Sequence, residues 1–144
     1  MDQYEWLRLD AQICFRLYAA SRSITRCYQP LLAELGLTYP QYLVMLVLWE
    51  HGSLTVKGIG QRLMLDSGTL TPLLKRLEQS ELITRKRSAE DEREVQIALT
   101  DAGGALRERA TAVPPGLFKQ MGMPLADLTQ LRTLLDQLIE NTKA

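Results

Sequence analysis

The sequence predicts a mainly helical fold carrying one small β-hairpin. Three observations point to it. Apolar residues recur at three- and four-residue spacing through most of the chain, the spacing changes to strict alternation only between Leu82 and Leu99, and residues suited to capping stand where the helical runs begin. The 144 residues suffice for one domain with a sizeable core, and 46% apolar with 24% charged residues is an ordinary globular mix. Basic and acidic side chains number 17 each, so the net charge is zero. Any surface for nucleic acid therefore has to be a local basic patch set against acid elsewhere.

Residues 7–35 show helical spacing, with Ile13, Leu17, Ala20, Ile24, Cys27 and Leu31 on one face. Pro30, late in this run, is expected to bend the helix or end its regular part. Gly36 and Pro40 bracket a turn. Residues 41–50 are apolar nearly all round and predict a short buried helix ended by Gly52. Thr55 is placed to cap a short helix through about residue 63. Asp66 or Ser67 is placed to cap another running to about residue 80, with Leu70, Leu73, Leu74 and Leu77 turned inward. Residues 82–87 and 94–99 are strand candidates around a polar turn, the second with Val95, Ile97 and Leu99 on one side.

Thr100 caps a further helix, expected to stop at Pro114-Pro115-Gly116. A last helix starts near Pro124, with Leu125, Leu128, Leu131, Leu135 and Leu138 along one side. Three short helices followed by a two-stranded hairpin form the winged helix-turn-helix arrangement. It is expected over about residues 37–100 of a single domain, 1–144. Helices at about 7–35 and 101–144 are left over for dimerisation. The stripe on the last helix has to be covered either by its own chain or by a partner.

The helix at residues 66–80 is the second of a helix-turn-helix, and its outer face carries Ser67, Thr69, Thr71, Lys75 and Arg76. Small hydroxyls near its start let such a helix enter a major groove and reach base edges or phosphates, and Lys75 and Arg76 suit backbone contacts. Taken alone, the same face could equally be a solvated one. The hairpin adds Arg85-Lys86-Arg87, the densest basic cluster of the chain, and Arg93 at its tip two residues after Asp91. An arginine on a wing tip suits a narrow minor groove, with Asp91 orienting it. A dimer would offer two such helices to a palindromic double-stranded DNA, with half-sites spaced by about 34 Å or a multiple of it.

A second seam on the first helix runs Cys14, Tyr18, Ser21, Thr25, Tyr28 and is unusually polar for a helix face. A tyrosine hydroxyl can donate to a thiolate and so favour it. Tyr18 is one turn from Cys14, but Tyr28 is about 21 Å along the axis and could reach it only from an antiparallel partner. Cys27 lies about 20 Å from Cys14, which excludes a disulfide within the chain. A free cysteine is also commonly a small buried apolar residue. Cys14 is read either that way or as a reactive thiol, and Cys27 as structural.

Four stretches carry a resemblance. They are Gln12-Ile13-Cys14-Phe15-Arg16-Leu17-Tyr18, Gly36-Leu37-Thr38-Tyr39-Pro40-Gln41-Tyr42, the run from Leu65-Asp66-Ser67-Gly68-Thr69 through Glu78, and Arg87-Ser88-Ala89-Glu90-Asp91-Glu92-Arg93. Over almost its whole length the chain resembles the MarR family (multiple antibiotic resistance regulators). The first two stretches resemble its organic-hydroperoxide-resistance branch. The resemblance implies a transcriptional repressor with a sensing cysteine at Cys14, its sulfur hydrogen-bonded by Tyr28 and Tyr39 of the opposite subunit. It also implies that organic hydroperoxide, as inducer, oxidises the thiol and releases DNA. The two-cysteine members of that branch take a resolving cysteine from the C-terminal helical region. Residues 118–129 contain none, and Met121 and Met123 stand there instead. The chain thus resembles the one-cysteine type, in which a small external thiol completes the oxidation as a mixed disulfide.

Other classes share parts of this pattern. A repressor released by a small aromatic or phenolic ligand would leave Cys14 incidental. A thiol peroxidase lacks the expected βαβ pattern and resolving pair, so no enzyme is expected. With one histidine, His51, and no His/Cys cluster, neither a metal site nor a cofactor is expected. The start of the chain has no basic and apolar leader pattern, and the longest apolar run, residues 42–49, is too short to span a bilayer. A cytoplasmic protein with no membrane association is the expectation.

Overall fold

The computed structural model describes residues 2–144. Two short 3-10 turns, Gln3–Leu7 and Leu9–Ala11, precede the long helix α1, Ile13–Ala33. The helix therefore begins later than its periodicity suggests. Gln12 is extended, its side-chain amide donates to the carbonyls of Trp6 and Arg8, and the Arg16 guanidinium donates to those of Asp10 and Gln12. Side chains thus satisfy carbonyls that a helical ladder would otherwise use. Pro30 sits inside α1 without ending it.

The helix α2, Tyr39–His51, is the centre of the core, with Val44, Met45 and Leu48 completely enclosed. Thr38 and Gln41 form a reciprocal capping box at its start: Thr38 Oγ1 accepts from the Gln41 amide, and Gln41 Oε1 from the Thr38 amide. Gly52 ends it with φ 81°, a conformation that glycine adopts freely. The strand β1, Ser53–Thr55, follows directly, and then α3, Val56–Leu63, and α4, Ser67–Gln79. The hairpin strands are β2, Ile83–Arg87, and β3, Val95–Leu99. All pairing is antiparallel, in the order β1-β3-β2, with Ser53 opposite Ala98 and Arg85 opposite Ile97. The strand β1 is absent from the sequence pattern because three residues cannot show a period; pairing with β3 makes it a strand.

Thr100 caps α5, Asp101–Ala110, by accepting from the Gly103 amide at 3.0 Å. This helix ends at Ala110, not at the prolines. Pro114 and Pro115 instead open a further helix, α6, Val113–Met121. The first turn of a helix leaves its amides unpaired, so proline is tolerated there, and the Pro-Pro-Gly run starts an element where the sequence suggests a stop. Gly116 lies so close to α1 that a Cβ on it would stand 2.9 Å from Leu31 Cδ2. The last helix, α7, Leu125–Thr142, buries no residue in its own chain. Leu125, Leu131 and Leu138 of the stripe are exposed, as are Leu134 and Ile139 beside it, while Leu128 and Leu135 are half-buried, so its own chain leaves much of this helix uncovered. Among the described residues no helix is long and apolar enough to cross a membrane.

Candidate nucleic-acid interface and thiol centre

The helices α3 and α4 form a helix-turn-helix whose starts are both capped as their sequence dictates. Thr55 Oγ1 accepts from the Gly58 amide at 3.0 Å, and Asp66 Oδ1 from the Thr69 amide at 2.7 Å. The hydrogen bonds from Thr69, backbone first, hold the Asp66 carboxyl below the usual carboxylate range. Leu70, Leu74 and Leu77 anchor α4 in the core, so its opposite face is turned to solvent. Ser67, Thr69, Lys75 and Arg76 are exposed there and Thr71 is half-buried. The Thr71 hydroxyl donates to the Ser67 carbonyl at 2.7 Å and keeps its oxygen free to accept.

The wing leans over this helix. A cleft of about 730 Å³ is lined by Lys57 and Gln61 of α3, Ser67 and Thr71 of α4, and Arg85 and Arg93 of the hairpin. The fold thus gathers residues from three separate segments around one concavity, with hydroxyl and basic side chains and Glu94 set among apolar walls that include Val56, Leu65 and Val95. Lys57 and Gln61 are not among the residues the sequence pattern singles out. Their four-residue spacing, opposite the inward Val56, Ile59 and Leu63, is the signal that marks them as an outer pair. At the tip, Arg93 Nε lies 3.3 Å from Asp91 Oδ1, which also accepts from the Arg93 amide at 3.0 Å. The Arg93 side chain is otherwise open to solvent. The Arg87 guanidinium donates to the Glu92 carbonyl at 2.8 Å and so closes the hairpin, a structural bond in addition to any contact it makes outward.

Cys14 is the second residue of α1 and is exposed. Gln12 gives no side-chain cap to this helix. The phenols gather at the other end of the helix. Tyr28 lies against Tyr39, with ring centroids 4.6 Å apart, and against Tyr42 at 5.6 Å. Burial, followed by the neighbouring Tyr39 and Tyr42, pushes Tyr28 up to about 12, and burial raises Tyr39 as well. Both hydroxyls therefore remain O–H donors throughout the neutral range. Tyr18 is exposed and engaged by Arg22, whose guanidinium carbon is 5.4 Å from the ring centroid. Cys27 is half-buried. Cys14 and the Tyr28–Tyr39 pair thus stand at opposite ends of one long helix, about 21 Å apart along its axis, and a single chain cannot bring them together.

The raised Tyr28 ties stability to pH. The folded chain holds this proton more tightly than the unfolded chain, so the contribution is complete below pH 10 and is lost as the pH rises through about 12. Urea unfolding between pH 9 and pH 12 is expected to show falling stability, with a shallower fall in Tyr28→Phe protein. Equal slopes for the two proteins would contradict the assignment.

Comparison with known proteins bears on both features. The family described as transcriptional regulator SarA/Rot matches residues 26–109. The organic hydroperoxide resistance transcriptional regulator of Bacillus subtilis (strain 168) is 54% identical over 142 residues, covering 96% of this chain and 95% of that one. The structure of reduced AbfR bound to DNA superposes with a TM-score of 0.79 at 38% identity, covering 97% and 98% of the two chains. Disulfide-formed AbfR, also 38% identical and covering 98% and 94%, superposes with a TM-score of 0.63. The chain is similar to both forms, and its fold lies nearer the DNA-bound one.

Proposed function

We propose, from the premise that this chain belongs to the MarR/SarA-type family of winged helix-turn-helix transcriptional regulators, that it is a homodimeric repressor released from its operator by organic hydroperoxide through oxidation of Cys14. The observation that carries this reading is the division of the thiol centre: an exposed cysteine at the start of α1, and a pair of protonated phenols at its far end. In an antiparallel dimer Tyr28 and Tyr39 of the partner subunit meet Cys14, with Tyr18 flanking it, so each sensor is built from two chains. The apolar stripe of α7, uncovered in its own chain, supports such a dimer. In this assignment residues 1–144 form one cytoplasmic domain, with about 37–100 as the DNA-binding core and the flanking helices as the dimer interface.

The chemistry follows from the residues. The Cys14 thiolate attacks one peroxide oxygen, the O–O bond breaks, and the departing alkoxide takes a proton: Cys–S⁻ + ROOH + H⁺ gives Cys–SOH + ROH. A small thiol R′SH then displaces water to give Cys–S–SR′. Both products remove the anion to which the two phenols donate. The helices that carry them shift, and the spacing of the two α4 helices no longer matches a palindrome.

On the DNA side, Ser67, Thr69 and Thr71 face the major groove, Lys75, Arg76, Arg85 and Arg87 the backbone, and Arg93, oriented by Asp91, the minor groove. Arg93→Ala is expected to weaken operator binding by about tenfold or more and to make the log–log salt slope shallower by about 2 per dimer. Fluorescence anisotropy at several salt concentrations measures both, and an unchanged slope would remove Arg93 from the interface. The whole reading is tested by a gel shift on a palindromic promoter fragment with and without cumene hydroperoxide, followed by mass analysis of both cysteines. Release accompanied by oxidation of Cys14 is expected. Release by a phenolic compound but not by peroxide would overturn the sensor.

A further inference from the structure

The turn between α3 and α4 carries a residue to which the interface described above gives no role. Met64 follows α3 in the left-handed region, with φ 58° and ψ 40°. The amides of Met64 and Leu65 both donate to the Gly60 carbonyl, the second at 2.9 Å, closing the helix as a Schellman turn. Glycine ordinarily occupies the left-handed place in such a turn, because a Cβ is crowded there. Methionine has no local hydrogen bond with which to offset that crowding. Burial does not offset it either: Met64 is 68% exposed, whereas Leu63 and Leu65 on either side are partly covered. It lines the same cleft as Ser67, Thr71 and Arg93. A strained backbone and a large apolar side chain held in water at the mouth of this cleft find their compensation in a partner.

We propose that Met64 is a DNA-contacting residue, laying its thioether side chain against apolar carbon of a nucleotide at the edge of the groove that α4 enters. This rests on the DNA-binding reading above. In a helix-turn-helix the first helix crosses the backbone and the second enters the major groove, so the turn between them lies where strand meets groove. The apolar carbon available there is the methyl of a thymine or the face of a deoxyribose. The charged and hydroxyl side chains of the cleft hold phosphates and base edges. Met64 adds a contact without charge, so its loss changes affinity and leaves the salt dependence alone.

The test uses duplexes selected from a random-sequence pool by the unaltered protein. Met64→Gly and Met64→Asn, both suited to the left-handed region, are expected to melt at higher temperature yet bind the selected duplex about tenfold more weakly, with an unchanged salt slope. Met64→Leu keeps an apolar side chain of similar volume and is expected to bind within about twofold of the parent. Glycine and asparagine variants that bind as tightly as the parent overturn the proposal. A parent that selects no sequence overturns the DNA-binding reading itself. Replacing thymine by deoxyuridine distinguishes the two carbon sources. A loss seen with the parent and not with Met64→Gly assigns the methyl, and the same tenfold difference on both duplexes assigns the sugar.

Discussion

Replacing Cys14 with serine is expected to leave operator binding by the reduced protein within about twofold of the parent and to abolish its release by organic hydroperoxide. The side chain is exposed at the start of α1 and supports no packing within its chain, so a hydroxyl of similar size costs the fold little. The hydroxyl cannot form the sulfenic acid, and in the proposed dimer the tyrosines facing position 14 keep an oxygen to which they can donate. Anisotropy titrations with and without cumene hydroperoxide read both effects. Cys27→Ser, in contrast, is expected to respond like the parent. A Cys14→Ser protein that still lets go of DNA on oxidation would remove Cys14 from the sensor.

Adjacent glycines at the start of α5 are expected to respond to alanine with opposite signs. A Cβ on Gly103 would stand 2.0 Å from the Leu82 carbonyl oxygen and 3.2 Å from Leu99 Cδ2, so α5 would have to move away from the hairpin. The Gly103 carbonyl also accepts the buried Trp49 indole N–H at 2.9 Å, and the displacement would break that bond. Backbone cannot yield as a side chain can. Gly103→Ala is therefore expected to cost roughly 3 kcal/mol, the combined loss of packing and of a buried hydrogen bond. A Cβ on Gly104 meets nothing within 4 Å, so Gly104→Ala is expected to gain about 1 kcal/mol from helix propensity alone. Urea midpoints of the two variants decide the matter, and Trp49 emission follows the indole in Gly103→Ala protein. Equal midpoints would contradict the close approach of α5 to the Leu82 carbonyl.

Much of the fold was legible because its determinants are short-range. The caps at Thr55, Asp66 and Thr100 each act on an amide three residues away, and the inward leucines of α4 repeat every turn. Alternation at Val95, Ile97 and Leu99 marks β3 in the same way. The exposed positions of the recognition helix and the basic hairpin could be read as well, because a capped, amphipathic helix leaves only one face for function.

What tertiary structure alone decided is of longer range. Ser53–Thr55 is a strand because β3 lies beside it, and Pro114-Pro115 begins a helix because α1 gives that helix a surface to pack on. Lys57 and Gln61 join Ser67, Thr71 and Arg93 around one cleft only once the wing folds beside α3 and α4. Tyr28 and Tyr39, eleven positions apart in the chain, come into contact with their rings tilted by 41° through the return of α2 along α1. The sequence by itself determined the helices other than α6, the caps at Thr55, Asp66 and Thr100 and the chemistry on the outer face of α4, since backbone amides and side chains within one turn settle these. Which faces meet, and that Tyr39 and Tyr42 close around Tyr28, follow from packing across the whole chain, which no local spacing encodes.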